Sequence, residues 1–274
     1  MSTIFTVSHA GGQGKTTFSQ LLYLLSKRVG VNHKLYSADF MDESGRSKFG
    51  KLYPNIVTEL GVGANLMAAR SENNPNAAVR YWDQTGEIFM NGQAIVDLGA
   101  NVFPQIVQWA VDRRLRQLMD KKEAPKVDFY CICKAERHGI DDIYNLISEL
   151  SRSDAFRLGR VFVVLNEVGG PFLKNDFKDR IDHAAGDIKP IYLKLPKCQS
   201  EIWSMMEQEG ISIESAIEMD EDEIVDMLGV DLWTASSGIS ELKTWVDYCL
   251  KMMRDANIFP NESGQAKRQL RSIS

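Results

Sequence analysis

Short apolar runs alternate with longer amphipathic segments along most of this chain, a pattern typical of a parallel sheet covered by helices. The apolar runs predict strands at residues 4–7, 34–37, 94–96, 127–133, 160–167 and 188–195. Between them, helices are expected to begin at Thr16, Phe103 and Ile140, the second ending near Met119 and the third at Leu150. The expected fold class is therefore α/β, a mostly parallel doubly wound sheet flanked by helices.

The remaining segments are assigned from weaker patterns. A helix is expected over residues 56–69 and a short strand over residues 79–82. The part after residue 196 is expected to be helical, with segments at 201–209, 212–218, 221–228 and 240–255. A chain of 274 residues can bury one sizeable core, so residues 1–258 are expected to form a single domain. Residues 259–274 are polar and expected to be a disordered tail.

The most specific signal lies between the first strand and the first helix, where residues 8–17 read SHAGGQGKTT. Glycines let the backbone approach a phosphate closely, and the start of a helix adds unpaired N–H groups. Lys15 would then contact the β- and γ-phosphates, and the Thr16 hydroxyl would bind a Mg²⁺ that bridges them. An ordinary glycine-rich turn is the alternative, but the position at a strand-to-helix junction favours a phosphate loop. Its expected binding residues are Gly11, Gly12, Gln13, Gly14, Lys15, Thr16 and Thr17.

Two acidic residues follow neighbouring strands. Asp39 comes after the second strand and Asp97 ends the third, so both are expected at the carboxyl edge of the sheet beside the loop. Asp97 is followed by Leu98 and Gly99, which suits an acid that binds the water shell of the metal next to a glycine that senses the γ-phosphate. Each acid could instead cap a turn or helix, and Asp42 competes with Asp39 because spacing alone does not fix the register.

Bulk composition narrows the classes of function. The 32 Lys plus Arg against 37 Asp plus Glu leave no broad positive field, which argues against direct DNA binding but leaves it open. Four cysteines without paired C-x-x-C spacing suit a reducing cytoplasm. No signal peptide is expected, because the N-terminus runs directly into the first strand. No transmembrane segment is expected either, because no apolar run approaches the ~20 residues that a bilayer span needs.

The Gly-Gly-x-Gly-Lys-Thr-Thr core of the loop, residues 11–17, resembles the deviant Walker A group of P-loop ATPases, which includes the ParA and MinD types. The resemblance implies a P-loop NTPase fold of the SIMIBI type, ATP and Mg²⁺ as cofactors, and a nucleotide-dependent homodimer. It also implies that Asp39 positions the attacking water or the magnesium shell, so that Lys15, Asp39 and Asp97 would be catalytic and Thr16 would join both acids at the metal. Asn166 would hydrogen-bond the adenine edge, and the chain at Pro196 would close over the base.

One departure limits this resemblance. The group carries a signature lysine before the paired glycines, and this chain has Ala10 there, so slow hydrolysis is expected. Segments at 97–103, 164–171 and 211–217 are similar to the TraL-type ATPases of conjugative transfer. The leading hypothesis is an ATPase switch that acts with a protein partner of a plasmid partition or transfer apparatus. The alternatives are a nucleotide-binding protein with little hydrolysis and an ATP-dependent ligase or kinase of the dethiobiotin synthetase type.

Overall fold

The computed structural model describes residues 1–61, 81–172 and 176–260. In these ranges seven strands form one sheet, and every pairing between neighbours is parallel. The strands are β1 Thr3–Val7, β2 Lys34–Ala38, β3 Val57–Glu59, β4 Ala94–Leu98, β5 Val127–Lys134, β6 Leu158–Asn166 and β7 Ile191–Leu195. The predicted α/β fold with a parallel sheet is confirmed.

The order of the strands places the phosphate-loop segment near the middle of the sheet. The order is β3-β2-β4-β1-β5-β6-β7, so β1 lies between β4 and β5. In register, Thr6 of β1 lies beside Asp97 of β4, and Val7 lies beside Cys131 of β5. Because the strands are parallel, the loop after β1 shares one edge of the sheet with the residues that end β4, β5 and β6.

Helices cover both faces of this sheet. They are α1 Lys15–Arg28, α2 Lys48–Leu52, α3 Gly86–Asn91, α4 Phe103–Asp112, α5 Leu115–Lys121, α6 Arg137–Ser153, α7 Asp176–Ala185, α8 Trp203–Gln208, α9 Ile213–Ala216, α10 Glu221–Leu228 and α11 Leu232–Asp255. Successive strand residues point to opposite faces. Phe5 and Val96 therefore pack in the core that contains α4, whereas Ile4 and Ile95 pack in the core that contains α1 and α11.

Two predictions between residues 56 and 82 were wrong for the residues that the structure describes. The expected helix over residues 56–69 begins instead with β3, because Val57 and Thr58 pair with β2 at the sheet edge, a tertiary contact that overrides helical propensity. Residues 62–80 lie outside the described ranges. The expected strand over 79–82 fails at its end, since residues 81–83 are helical and Trp82 is buried against the core around α4.

Several boundaries also differ from the expected ones. The helix expected from Phe103 to Met119 is two helices, α4 and α5, separated at Arg114, which has a left-handed φ of 52°. Helix α11 begins at Leu232 rather than residue 240, since the Asp231 carboxylate accepts hydrogen bonds from the backbone N–H groups at the helix start. Of the expected tail over residues 259–274, residues 261–274 lie outside the described ranges, and Phe259 packs against His33 with ring centroids 5.0 Å apart. Among the described helices, none combines the length and apolarity needed to cross a bilayer.

Candidate functional site

The loop between β1 and α1 is shaped by two glycines. Gly12 and Gly14 have φ values of 68° and 98°, a region that favours glycine. At Gly14 a side chain is also excluded by space, because an added Cβ would overlap Nδ2 of Asn166. Gly14 is the N-cap of α1 and supplies no side-chain cap to the first backbone N–H groups of the helix. A loop of this form presents N–H donors to an anion.

Lys15, the first residue of α1, is buried within this loop. Its Nζ donates hydrogen bonds to Ser8 Oγ at 2.8 Å and to the carbonyl of Ala10 at 3.3 Å, and the residue is only 6% exposed. Burial lowers the pKa of Lys15, while the charges of Asp97 and Asp39 oppose this shift. The side chain is therefore a desolvated cation whose attraction for an anion is stronger than it would be in water.

Asp97 is the best-connected acid of the site. The carboxylate is 1% exposed and accepts hydrogen bonds from the hydroxyls of Thr16 at 2.7 Å, Thr6 at 2.9 Å and Ser19 at 3.1 Å. Burial raises its pKa, and the Thr16 hydrogen bond and the Lys15 charge oppose this. Carboxylate and hydroxyl oxygens are the ligands that Mg²⁺ prefers, so the donor set of Asp97 and Thr16 fits this ion.

The surroundings of Asp39 and Asp42 differ, and they show which of the two acids lies beside the loop. Asp39 follows β2 and lies directly on Gly99, where an added Cβ would collide with its carboxylate, and it lines the same cavity as Thr16. Asp42 instead forms an ion pair with Lys51 and accepts a hydrogen bond from its own turn, and the Lys51 hydrogen bond holds its pKa well below the usual range. Asp39 is therefore the acid brought to the loop, while Asp42 serves its turn.

A cavity of about 630 Å³ extends from the loop to the segment after β7. This volume lies in the range of small-molecule sites. Residues 195–201, Trp203 and Trp245 form the wall away from the loop, and the Trp245 indole N–H donates to the Pro196 carbonyl at 2.8 Å. Elsewhere on the lining, Lys48 and Glu207 form an ion pair at 2.8 Å.

Asn166, the last residue of β6, is hydrogen-bonded to the loop through its side chain. Its Nδ2 donates to the Gln13 carbonyl at 2.8 Å, and its Oδ1 accepts from the backbone N–H of Val168 at 3.1 Å. The side chain lines the cavity, as does Pro196. Contact of Asn166 or Pro196 with a base stays a prediction. The hydrogen bond from the Asn166 amide to the Gln13 carbonyl holds the loop against the end of β6.

Three features of the site were missed from the sequence. Thr6 and Ser19 complete the hydroxyl shell of Asp97. Ser19 could have been found, because it lies three residues after Thr16 on the same helix face. Lys134 ends β5 at the edge that carries the site, and the rule that applied to the acids would have included it. Trp203 and Trp245 reach the cavity through tertiary packing, and the helical spacing of Trp245 indicates only a core position.

Comparison with known proteins gives structural likeness alone. No protein-family model and no curated protein matches the chain. Apo McdA of Cyanothece is 12% identical over 89% of this chain and 99% of its own, with a TM-score of 0.43. A chain of the MinC:MinD cell division protein complex of Aquifex aeolicus is 16% identical over 86% of this chain and 95% of its own, with a TM-score of 0.44. MinD complexed with Mg-ADP from Pyrococcus horikoshii OT3 is 14% identical over 89% and 96%, at 0.42. Likeness at this level assigns no function, which has to be argued from the site itself.

Proposed function

We propose that this chain is a P-loop ATPase that binds ATP with Mg²⁺ at the loop between β1 and α1. The observation that carries the proposal is the 2.7 Å hydrogen bond from the Thr16 hydroxyl to the buried carboxylate of Asp97, next to a loop that encloses the Lys15 ammonium. A hydroxyl, a carboxylate and a cation at one helix N-terminus match the needs of a magnesium polyphosphate.

The residues of the chain have distinct roles in this proposal. Backbone N–H groups of residues 11–17 would hold the phosphates, and Lys15 would neutralise charge on the β- and γ-phosphates. Thr16 and Asp97 would hold Mg²⁺, which when bound neutralises charge that develops on the transferred phosphoryl group. Asp39 would orient the attacking water, because it lines the cavity beside Thr16 and interacts electrostatically with Lys15.

The part of the cavity between Asn166, beside the loop, and the Pro196 segment suits a base. Asn166 carries an amide that can donate and accept together, and one of its N–H groups remains beyond the bond to Gln13. The Pro196 segment is fixed by Trp245, so its backbone is pre-positioned along the cavity. We assign the adenine to this part of the cavity. A place for a base favours ATP over an inorganic polyphosphate as the ligand.

The product of such a site would be a conformational signal. We propose that bound ATP favours a homodimer and a protein partner in plasmid partition or conjugative transfer. The resemblance of residues 11–17 to the deviant Walker A group supports the dimer and the partition role, and the similarity of residues 97–103, 164–171 and 211–217 to the TraL-type ATPases supports the transfer role. Gly99 follows Asp97 and contacts Asp39, so a change at the γ-phosphate would reach both acids through one short segment. We place this activity in the cytoplasm and in one domain over residues 1–258.

A second candidate is a nucleotide-binding protein with little hydrolysis. It is favoured by Ala10, which contributes to the loop only its carbonyl, an acceptor for Ser8 and Lys15. Turnover of ATP without any acceptor molecule separates the ATPase from this candidate and from a ligase or kinase. A ligase or kinase requires a second substrate for turnover.

The test is thermal unfolding with MgATP in the parent and in Lys15→Ala. At ligand about 100-fold above Kd the parent should gain about 2.7 kcal/mol of stability, and Lys15→Ala should gain none. Lys194→Ala is the matched control, since Lys194 is exposed on β7 and outside the cavity lining. Intrinsic tryptophan fluorescence gives a second readout, since Trp203 and Trp245 line the cavity. Equal stabilisation of the parent and Lys15→Ala would disprove the assigned loop.

A further inference from the structure

Lys134 places a second ammonium group at the loop. It is the last residue of β5 and lies in register with Asn166 of β6. It lines the cavity together with residues 11–17, and a Cβ placed on Gly12 would be 3.9 Å from its Nζ. This approach is from the β5 side, whereas Asp97 reaches the site from β4 on the other side of β1.

The backbone of Lys134 is held from two sides. Its N–H donates to the Gln13 side-chain carbonyl at 2.7 Å, which ties β5 to the loop itself. Helix α6 packs against it at Gly139, where an added Cβ would be 2.8 Å from the Lys134 carbonyl. The backbone of Lys134 and the loop therefore keep a fixed distance, so a ligand at the loop is bound without rearrangement of β5.

The charge of Lys134 is not used inside the described part of the chain. Two other lysines on the cavity are engaged, Lys15 with Ser8 and Ala10, and Lys48 with Glu207. Lys197 is exposed on the wall away from the loop and likewise forms no ion pair in the described ranges, so Lys134 is distinguished by its place beside Gly12. For Lys134 no ion pair occurs within residues 1–61, 81–172 and 176–260. A half-buried cation beside a loop of N–H donors suits an anion that arrives with the ligand.

We infer that Lys134 binds a phosphate of the nucleotide, from within the same chain. This inference rests on the proposed function and adds a specific residue to it. Lys134 supplies a positive charge at the phosphate loop of a chain that has Ala10 in place of a lysine. The ligand class is a nucleoside diphosphate or triphosphate, and adenosine lacks the group that Lys134 recognises.

The experiment compares Lys134→Met and Lys134→Arg with the parent for binding of ATP, ADP and adenosine by calorimetry. Lys134→Met removes one charged hydrogen bond to a phosphate, so its affinity for ATP and ADP should fall roughly 10- to 100-fold. Lys134→Arg should recover most of this affinity, and the variants should bind adenosine as the parent does. Lys194→Met removes the same charge from an exposed position outside the cavity and should bind like the parent.

The salt dependence provides a readout that a merely structural role would not change. The affinity of the parent for ATP should fall more steeply with ionic strength than that of Lys134→Met, because one fewer charge pair is screened. Parent-like ATP affinity in Lys134→Met, together with loss of binding in Lys15→Ala, would overturn this inference and leave the proposed function standing. Absence of ATP binding in the parent itself would overturn both.

Discussion

Asp97 should control the dependence of nucleotide binding on magnesium. Asp97→Asn keeps the shape of the side chain and removes the charge that Thr16, Thr6 and Ser19 surround. We expect the affinity for MgATP to fall roughly 10- to 100-fold, the loss typical when a group that supports a metal is removed. Added Mg²⁺ should then no longer improve binding of ATP, which calorimetry with and without a chelator measures.

The matched control for that change is Asp112→Asn. Asp112 is an exposed acid at the end of α4 that accepts a hydrogen bond from Gln108. The Asp112→Asn variant should bind MgATP with the affinity of the parent. If Asp97→Asn retained the full gain from Mg²⁺, the metal would have to be held elsewhere.

The residues that could be predicted are those whose chemistry follows from position in the chain. Lys15, Thr16 and Asp97 each stand at a fixed distance from the end of a strand, and the structure brings them together. The bond from Asn166 to the Gln13 carbonyl joins segments 153 positions apart. Spacing along the sequence holds no information about such a contact.

At the scale of elements, the junction of the loop with α1 predicts a strict need for glycine at residue 14. Gly14→Ala adds a Cβ at a φ of 98° and pushes it into the Asn166 amide. The unfavourable φ alone should lower the free energy of unfolding by roughly 1–2 kcal/mol. The clash should lower it by a further 1–3 kcal/mol, roughly the cost of overpacking a tight site. Chemical denaturation measures both effects.

Gly30→Ala separates the two contributions. Gly30 has a φ of 76° but open space around it, so this variant should show the backbone effect alone and should bind nucleotide normally. Gly14→Ala should lose nucleotide binding, because the first turn of α1 and Asn166 must move apart. Equal stability and equal binding in the two variants would argue against a close approach of β6 to the loop.

Helix α11 was predicted from the sequence, but its place on the wall of the cavity was not. Apolar residues recur in it at helical spacing, which indicates a core helix, and Leu242, Val246 and Met253 of this stripe are buried. The helix also forms the far wall of the site. The Ser200 hydroxyl donates to the Gly238 carbonyl at 2.7 Å, and Trp245 donates to Pro196 at 2.8 Å. Both bonds run between parts distant in sequence, so periodicity could indicate the helix but not the wall.

The edge of the sheet was the hardest part to predict. A strand of three residues such as β3 has too few positions to show alternation, and it exists because β2 offers it a partner. Central strands such as β5 carry a long buried apolar run, which the sequence displays directly. The edge strand β7 was predicted nonetheless, because its five residues lie within an expected strand at 188–195, so the length of the strand decided more than its place in the sheet.

For the whole molecule, Ala10 provides the test of assembly. If two chains face each other across their nucleotides, Ala10→Lys should add a cation that reaches the phosphates of the partner. Such a charge can raise hydrolysis by about 10³-fold or more. The increase should grow with protein concentration, since it requires the dimer, and a phosphate-release assay over a dilution series measures it.

Ala10→Met controls for side-chain bulk at the same position and should stay as slow as the parent. We expect the parent itself to turn over slowly, because only groups of its own chain act on the phosphates. A parent that hydrolysed several ATP per second without a partner would contradict this expectation. A rate of Ala10→Lys that did not depend on concentration would contradict the facing dimer.

The central place of β1 has a consequence for how the molecule fluctuates. With β4 on one side and β5 on the other, the amides of β1 can exchange with solvent only when the sheet itself comes apart, whereas β3 can detach by local fraying. The base of the loop therefore shares the global protection of the fold. Its Asp39 side follows β2, next to the edge strand β3, and is expected to open at a lower free-energy cost than the base of the loop.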